Sequence, residues 1–203
     1  MATTIDSVIL EVDDHEGAAS FYSAAFDLGS RVTLRASDAP TTGFRGFTLS
    51  LIASQPANVH KLFDSAVEAG GTVLKPVEKS LWGVGGAIQA PDGTIWNIAT
   101  SQKKDTTPAA AQFDELVLLL GVENVGESKK LYAGKGFGVA KSFGSYVDFA
   151  MESSPVKFGL YKRRALAKSV GVDAEGSGAH RITIVSNAAP LSDPDGFNWE
   201  NGL

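Results

Sequence analysis

Pro91-Asp92-Gly93-Thr94-Ile95-Trp96-Asn97 and its echo Pro194-Asp195-Gly196-Phe197-Asn198-Trp199-Glu200 are the stretches on which the fold turns. Pro and Asp-Gly build a tight turn, and the alternating apolar residues beyond it read as a strand entered from that turn. A second pair precedes the boxes in the same order. Ile5-Asp6-Ser7-Val8-Ile9-Leu10 resembles Phe113-Asp114-Glu115-Leu116-Val117-Leu118, at an offset of 108 residues against 103 for the turn boxes. The chain is therefore read as two related halves, each opened and closed by similar strands. At the last position of the box the halves part: Asn97 stands against Glu200.

Composition fits an ordinary globular chain. With 203 residues, 43% hydrophobic and 20% charged, it can bury a sizeable core in one large or two small domains. Residues through Lys104 carry 8 basic and 11 acidic side chains and the remainder 10 and 12, so neither half is basic enough to expect nucleic acid as a partner. The densest basic run, Lys162-Arg163-Arg164, reads as a solvated helix start rather than an anion site. Cysteine is absent, which removes disulfides, thiolate metal ligation and a cysteine nucleophile. No signal-like amino terminus and no long apolar run appear, so a cytoplasmic protein without a membrane partner is expected.

The first half reads strand, helix, strand, strand, helix and three strands. Val8, Leu10 and Val12 share one face of the first strand, with Ser7, Ile9 and Glu11 on the other. Asp13 or Asp14 caps a helix carrying Phe21, Tyr22 and Phe26. Pro56 opens a second helix, with Val59, Leu62, Phe63 and Ala66 as its buried stripe. Residues 103–112 read as a linker between an N-terminal half, 1–102, and a C-terminal half, 113–203. The second half repeats strand, helix and three strands, adds a short helical piece around Ala165 to Val170, and restarts at Ile182. Only five residues then separate Asn187 from Asp193, where the first half fits a helix and two strands between Ser54 and Pro91.

This pattern resembles the vicinal oxygen chelate superfamily, which includes glyoxalase I, extradiol dioxygenases and bleomycin-resistance proteins. Gly43-Phe44-Arg45-Gly46-Phe47-Thr48-Leu49, continued through Ala69-Gly70-Gly71, Lys75-Pro76 and Trp82-Gly83 to the first turn box, is similar to the second module of many glyoxalase-like proteins. The resemblance implies an α+β fold of paired βαβββ modules, forming curved, cup-shaped mixed β-sheets with helices on the outer face. The first module lacks two strands after Ala36, and the fourth lacks its helix and middle strands. Sheet edges left open by these losses are expected to be shared within the monomer or across a homodimer.

Enzymes of this superfamily hold a divalent metal with a His near the start of a module's first strand and a Glu in its last. In the first half the corresponding positions are Ser7, Gly46 and Asn97, which make no competent ligand set. In the second half Glu115, His180 and Glu200 suggest a metal-dependent lyase or dioxygenase as one reading, in which the metal polarises a substrate oxygen. Against it, His180 shares the parity of Ile182 and Ile184, which places it toward the core. The favoured reading has no metal and no cofactor: a small, partly apolar ligand bound in the cup, as resistance proteins do by sequestration. Its candidate ligand-binding residues are Ser7, Glu11, Asn97, Glu115, His180 and Glu200. His15 and His60 read as solvated helix residues, and strand parity puts Trp96 and Trp199 in the core.

Overall fold

The computed structural model describes residues 3–202. In chain order the elements are β1 (Ile5–Val12), α1 (His15–Ala25), β2 (Val32–Ala36), β3 (Thr41–Gly43), β4 (Phe47–Ile52), α2 (Pro56–Glu68), β5 (Thr72–Ser80), β6 (Gly83–Gln89) and β7 (Ile95–Thr100). They continue with β8 (Glu115–Val122), α3 (Val125–Gly134), β9 (Val139–Phe143), β10 (Tyr146–Phe149), β11 (Val156–Lys162), α4 (Arg163–Val170), β12 (Gly176–Gly178), β13 (Ile182–Ser186), β14 (Leu191–Ser192) and β15 (Asn198–Asn201).

Local chemistry sets the helix starts. The Asp14 side chain accepts from Gly17 N, and Asn124 accepts from Gly126 N and Glu127 N, so one orphaned first-turn donor of α1 and two of α3 are satisfied. Pro56 opens α2, where a missing N–H costs nothing. Between β7 and β8 the chain has no regular structure over 101–114, yet it is tethered. Asp105 Oδ1 accepts from Ala57 N at 2.7 Å, and the buried Gln55 amide bonds Thr106, Thr107 and Pro108.

The two complete modules join through β4 and β8, paired antiparallel from Phe47↔Leu120 to Ile52↔Glu115. This gives eight strands in the order β5-β6-β7-β4-β8-β11-β10-β9. The incomplete modules join through β1 and β13, giving β2-β1-β13-β15-β14. A single pair, Ile5↔Val156, connects the two groups into one 13-stranded sheet, while β3 and β12 form a separate ribbon. The two halves thus exchange edges within one chain, which covers strand edges that the missing pieces would leave open.

One face of the sheet is the core. Val8, Leu10, Leu49, Leu51, Trp96, Ile98, Leu118, Phe158 and Trp199 lie there with residues of α1, α2 and α3. The opposite face, the open face, carries Ser7, Glu11, Asn97, Glu115 and Glu200, as alternation from the buried positions requires. Part of it is covered by α4. Leu166, Ala167 and Val170 form a second apolar cluster with Phe44, Ala87, Ile95, Leu119 and Tyr161.

Candidate functional site

On the five-strand group, the open face is organised by an arginine. Arg35 lies opposite Glu11 in the β1–β2 register, and both its terminal nitrogens donate to Glu200 carboxylate oxygens at 3.0 Å. Glu11 Oε1 stands 3.8 Å from the same guanidinium and accepts from Thr183 Oγ1 at 2.9 Å. The bidentate fork holds the Glu200 carboxyl below the usual carboxylate range, chiefly through the Arg35 hydrogen bonds. Ser7 sits two rows away, opposite Val185. Three of the expected ligand-binding residues therefore share one surface, and two of them are engaged with Arg35.

On the eight-strand group, Asn97 and Glu115 lie on either side of β4: Asn97 is opposite Ser50, and Glu115 is opposite Ile52. They serve different cavities. Asn97 lines one of about 270 Å³ with Lys75, Trp82 and Ser169. Glu115 lines one of about 570 Å³ whose walls include Val117, Tyr146, Asp148, Phe149, Met151 and Lys157. In the larger of these two, burial raises the Asp148 pKa against the pull of Lys141, and the Tyr146 hydroxyl is pushed up to about 12, first by burial and then by Asp148. The Tyr146 and Tyr161 rings meet edge to face at 5.4 Å. Lys157 is turned toward backbone, donating to Met151 O and Glu152 O at 2.6 and 3.0 Å. A groove of about 640 Å³ also runs between α1 and β2, but its Tyr22 hydroxyl is already donated to Asp92 at 2.9 Å.

His180 occupies a third place. Its Nδ1 meets Arg45 O at 2.5 Å, its Nε2 meets Asp195 O at 2.8 Å, and its ring stacks on Phe197 at 4.0 Å. The strand alternation that would carry it to the core fails because Arg181 has a left-handed backbone, φ +55°, just before β13 starts. The two halves explain the arrangement. Arg45 stands two residues before β4, followed by Gly46 at φ +83°, and its Nη2 donates to Asp92 O at 2.6 Å. His180 stands two residues before β13 and meets the equivalent carbonyl of the second turn box. It is the counterpart of Arg45: a basic side chain that fastens a Pro-Asp-Gly turn to the start of a neighbouring strand.

The box aspartates themselves differ. In the first half Tyr22 donates to Asp92, and the Trp96 indole donates to Tyr22 at 3.3 Å. In the second half Tyr132 donates to Asp193, two residues earlier than the box position, and Trp199 donates to Tyr132 at 3.3 Å. Asp195 turns instead to Glu123 N at 2.9 Å.

Compared with solved structures, the chain aligns with glyoxalase I from Zea mays over 98% of its own length and 92% of that chain, with a TM-score of 0.64 and 16% identity. The chain has the glyoxalase fold. A putative dioxygenase from Bacillus subtilis aligns over 90% of this chain and 69% of that chain, with a TM-score of 0.57 and 12% identity. No protein-family model matches the sequence, and no curated protein matches it. At these identities the likeness is one of fold, and function has to be argued from the site.

The residues of this glyoxalase-fold chain do not fit the metal that the sequence resemblance implies. Glu200, in the terminal Glu position, is bound by a guanidinium. His180 has both ring nitrogens occupied by the backbone carbonyls of Arg45 and Asp195. Glu115 belongs to the other strand group. Among the described residues no three His, Asp, Glu or Cys side chains converge in a way that could hold a metal ion. His15 and His60 are exposed on α1 and α2. No helix among the described residues is long and apolar enough to cross a membrane.

Sequence reasoning missed Arg35, Arg45 and Arg163. Arg35 had a readable signal, a charge alternating with Val32 and Leu34 in a short strand. Arg163 did not: its position in the Lys162-Arg163-Arg164 run suggested solvent, whereas Nε and Nη2 donate to Ala174 O and Phe44 O at 3.0 and 2.5 Å.

Proposed function

We propose that this glyoxalase-fold protein binds a small, partly apolar molecule on a cup-shaped open face of its sheet, without a metal, in a sequestration role. The ligand sits in the cavity around Glu115. The observation that carries this reading is the make-up of that cavity. About 570 Å³ is enough for a small organic molecule, and Val117, Ala140 and Ala150 supply apolar lining beside the few polar groups that fix orientation, Glu115, Tyr146 and Asp148. Arg35 supports the metal-free part, because a guanidinium held at 3.0 Å on Glu200 stands where a cation would have to bind.

Two measurements test the reading. A thermal-shift screen of small aromatic and aliphatic compounds is expected to yield stabilising hits that are lost in Val117→Arg and weakened in Tyr146→Phe, since only folded protein with an open cavity gains from the ligand. Hits that survive Val117→Arg would move the site elsewhere. Protein purified without chelator is expected to contain no stoichiometric metal and to melt unchanged in EDTA. One tightly held iron, zinc or nickel per chain would overturn the metal-free reading.

A further inference from the structure

Each strand that opens a module has a parallel neighbour: β1 has β2, β4 has β7, β8 has β11 and β13 has β15. Outside that neighbour three of the four modules add an antiparallel strand, β6 on β7, β10 on β11 and β14 on β15. β2 has none: among the described residues it pairs with β1 alone. The chain leaves β2 by turning back toward β1 and the entry to β13. Ser37 N donates to Val12 O, and the Ala39 and Pro40 carbonyls accept from Arg181 and Ala179. A row of backbone donors and acceptors is therefore left open where the fold elsewhere adds a strand.

The other outer strands of the sheet are defended against pairing. β5 has Pro76 near its centre and two register shifts, β9 carries Lys141 and a shift against β10, and β14 is only two residues long. β2 is five residues in unbroken register without a proline, and its one charge, Arg35, is drawn aside to Glu200. On its core side the half-buried Val32 and Leu34 line the groove of about 640 Å³ beneath α1. The strand that fits this gap is antiparallel, with apolar side chains at alternate positions toward the helices, as Val147 and Phe149 are in β10.

We propose that the outer edge of β2, with the side of α1 beside it, binds the same surface of a second copy of this chain, forming a twofold dimer with a continuous sheet. β2 itself has the required pattern, and a twofold axis at Leu34 makes the pair antiparallel by symmetry. Leu34 then faces its own counterpart, Val32 faces Ala36, and Thr33 faces Arg35, so no like charges stand directly opposed. The same axis sets the two α1 helices antiparallel. Where α1 lines the groove, the exposed Ala19 and Ser23 lie between His15 and, just past the helix end, Asp27. Small residues thus meet at the centre, and His15 of each copy comes opposite Asp27 of the other, a complementarity that fixes the register. The interface is small, which sets the affinity in the micromolar range. It is independent of the reading of the Glu115 cavity, and either can fail alone.

The test is sedimentation equilibrium of the full chain across the micromolar range, where a concentration-dependent dimer is expected. The sequence has no cysteine, so Leu34→Cys is a clean probe. Directly opposed residues have Cβ atoms about 4.5–5.5 Å apart, within reach of a disulfide, and mild oxidation is expected to link the copies. Thr33→Cys, whose counterpart lies diagonally about 7–8 Å away, is expected to link poorly. Asp27→Lys sets a lysine against His15 twice per dimer and is expected to weaken association at least about tenfold, and adding His15→Asp is expected to restore it. Both positions are exposed, so the melting temperature of the monomer is expected to hold. A monomer at every concentration would overturn the proposal; if it were stabilised by an extended peptide of alternating apolar residues, the edge would belong to a foreign strand. A dimer without the Leu34→Cys crosslink, or one that Asp27→Lys leaves unchanged, would put the interface elsewhere and overturn it too.

Discussion

Replacing Trp96 by alanine, with Asn97→Ala as its control, tests which face of the sheet is core. Trp96 is fully buried, its ring centroid lies 5.0 Å from Phe26 and 5.7 Å from Tyr22, and its indole N–H donates to the Tyr22 hydroxyl. Truncation of a buried Trp costs about 3–5 kcal/mol, and the lost indole hydrogen bond lies toward the upper end of that range. Tyr22 keeps Asp92 as its acceptor, so no buried hydroxyl proton is stranded. Set against a total stability of about 5–15 kcal/mol, the change removes a large fraction. With a urea m-value of about 2–3 kcal/mol/M, the unfolding midpoint falls by roughly 1.5–2 M. Asn97 is the adjacent residue on the other face and its side chain makes no hydrogen bond among the described residues, so Asn97→Ala shifts stability by no more than about 0.5 kcal/mol. Circular dichroism is the suitable signal, because Trp82 at 87% exposure reports poorly on the core. A Trp96→Ala protein that unfolds with the parent, beside an Asn97→Ala protein that does not, would reverse the two faces and every open-face assignment made from them.

Fragments 1–104 and 105–203, expressed separately, are expected to be poorly soluble, because β4 and β8, and β1 and β13, would lose their partners; two monomeric fragments with sharp melts would contradict this. Asp193 supplies a pH test. Burial raises its pKa despite the hydrogen bonds from Tyr132 and Phe197 N, so its stabilising contribution is present below the ordinary carboxylate range and is lost as pH rises through the raised value. Melting temperatures compared between neutral and mildly acidic pH should therefore show the parent gaining on Asp193→Asn as pH falls; a relative loss would mean that the hydrogen bonds outweigh burial.

Much of the fold was legible locally. Period-two alternation placed Val8, Leu10 and Val12 at zero exposure, and turn chemistry at Pro91-Asp92-Gly93 and Pro194-Asp195-Gly196 located the closing strands. Asp13 or Asp14 and Pro56 marked helix starts through side chains that act within one turn, and Asp14 is the cap. The same alternation put Ser7, Glu11, Asn97, Glu115 and Glu200 on the open face, and buried Trp96 and Trp199.

What the site contains was decided by contacts far apart in the chain. Arg35 reaches Glu200 across 165 residues, and Arg45 and His180 are joined across 135, distances at which no periodicity carries information. One left-handed residue, Arg181, was enough to cancel the parity argument for His180, because facing depends on an unbroken extended backbone. The covering of the open face by α4 followed from where the apolar Leu166, Ala167 and Val170 found partners. Sequence determines which side of an element is apolar, since that needs only the pitch of the backbone. Which charged groups then meet across the sheet depends on strand order and register, and these exist only once the chain has folded.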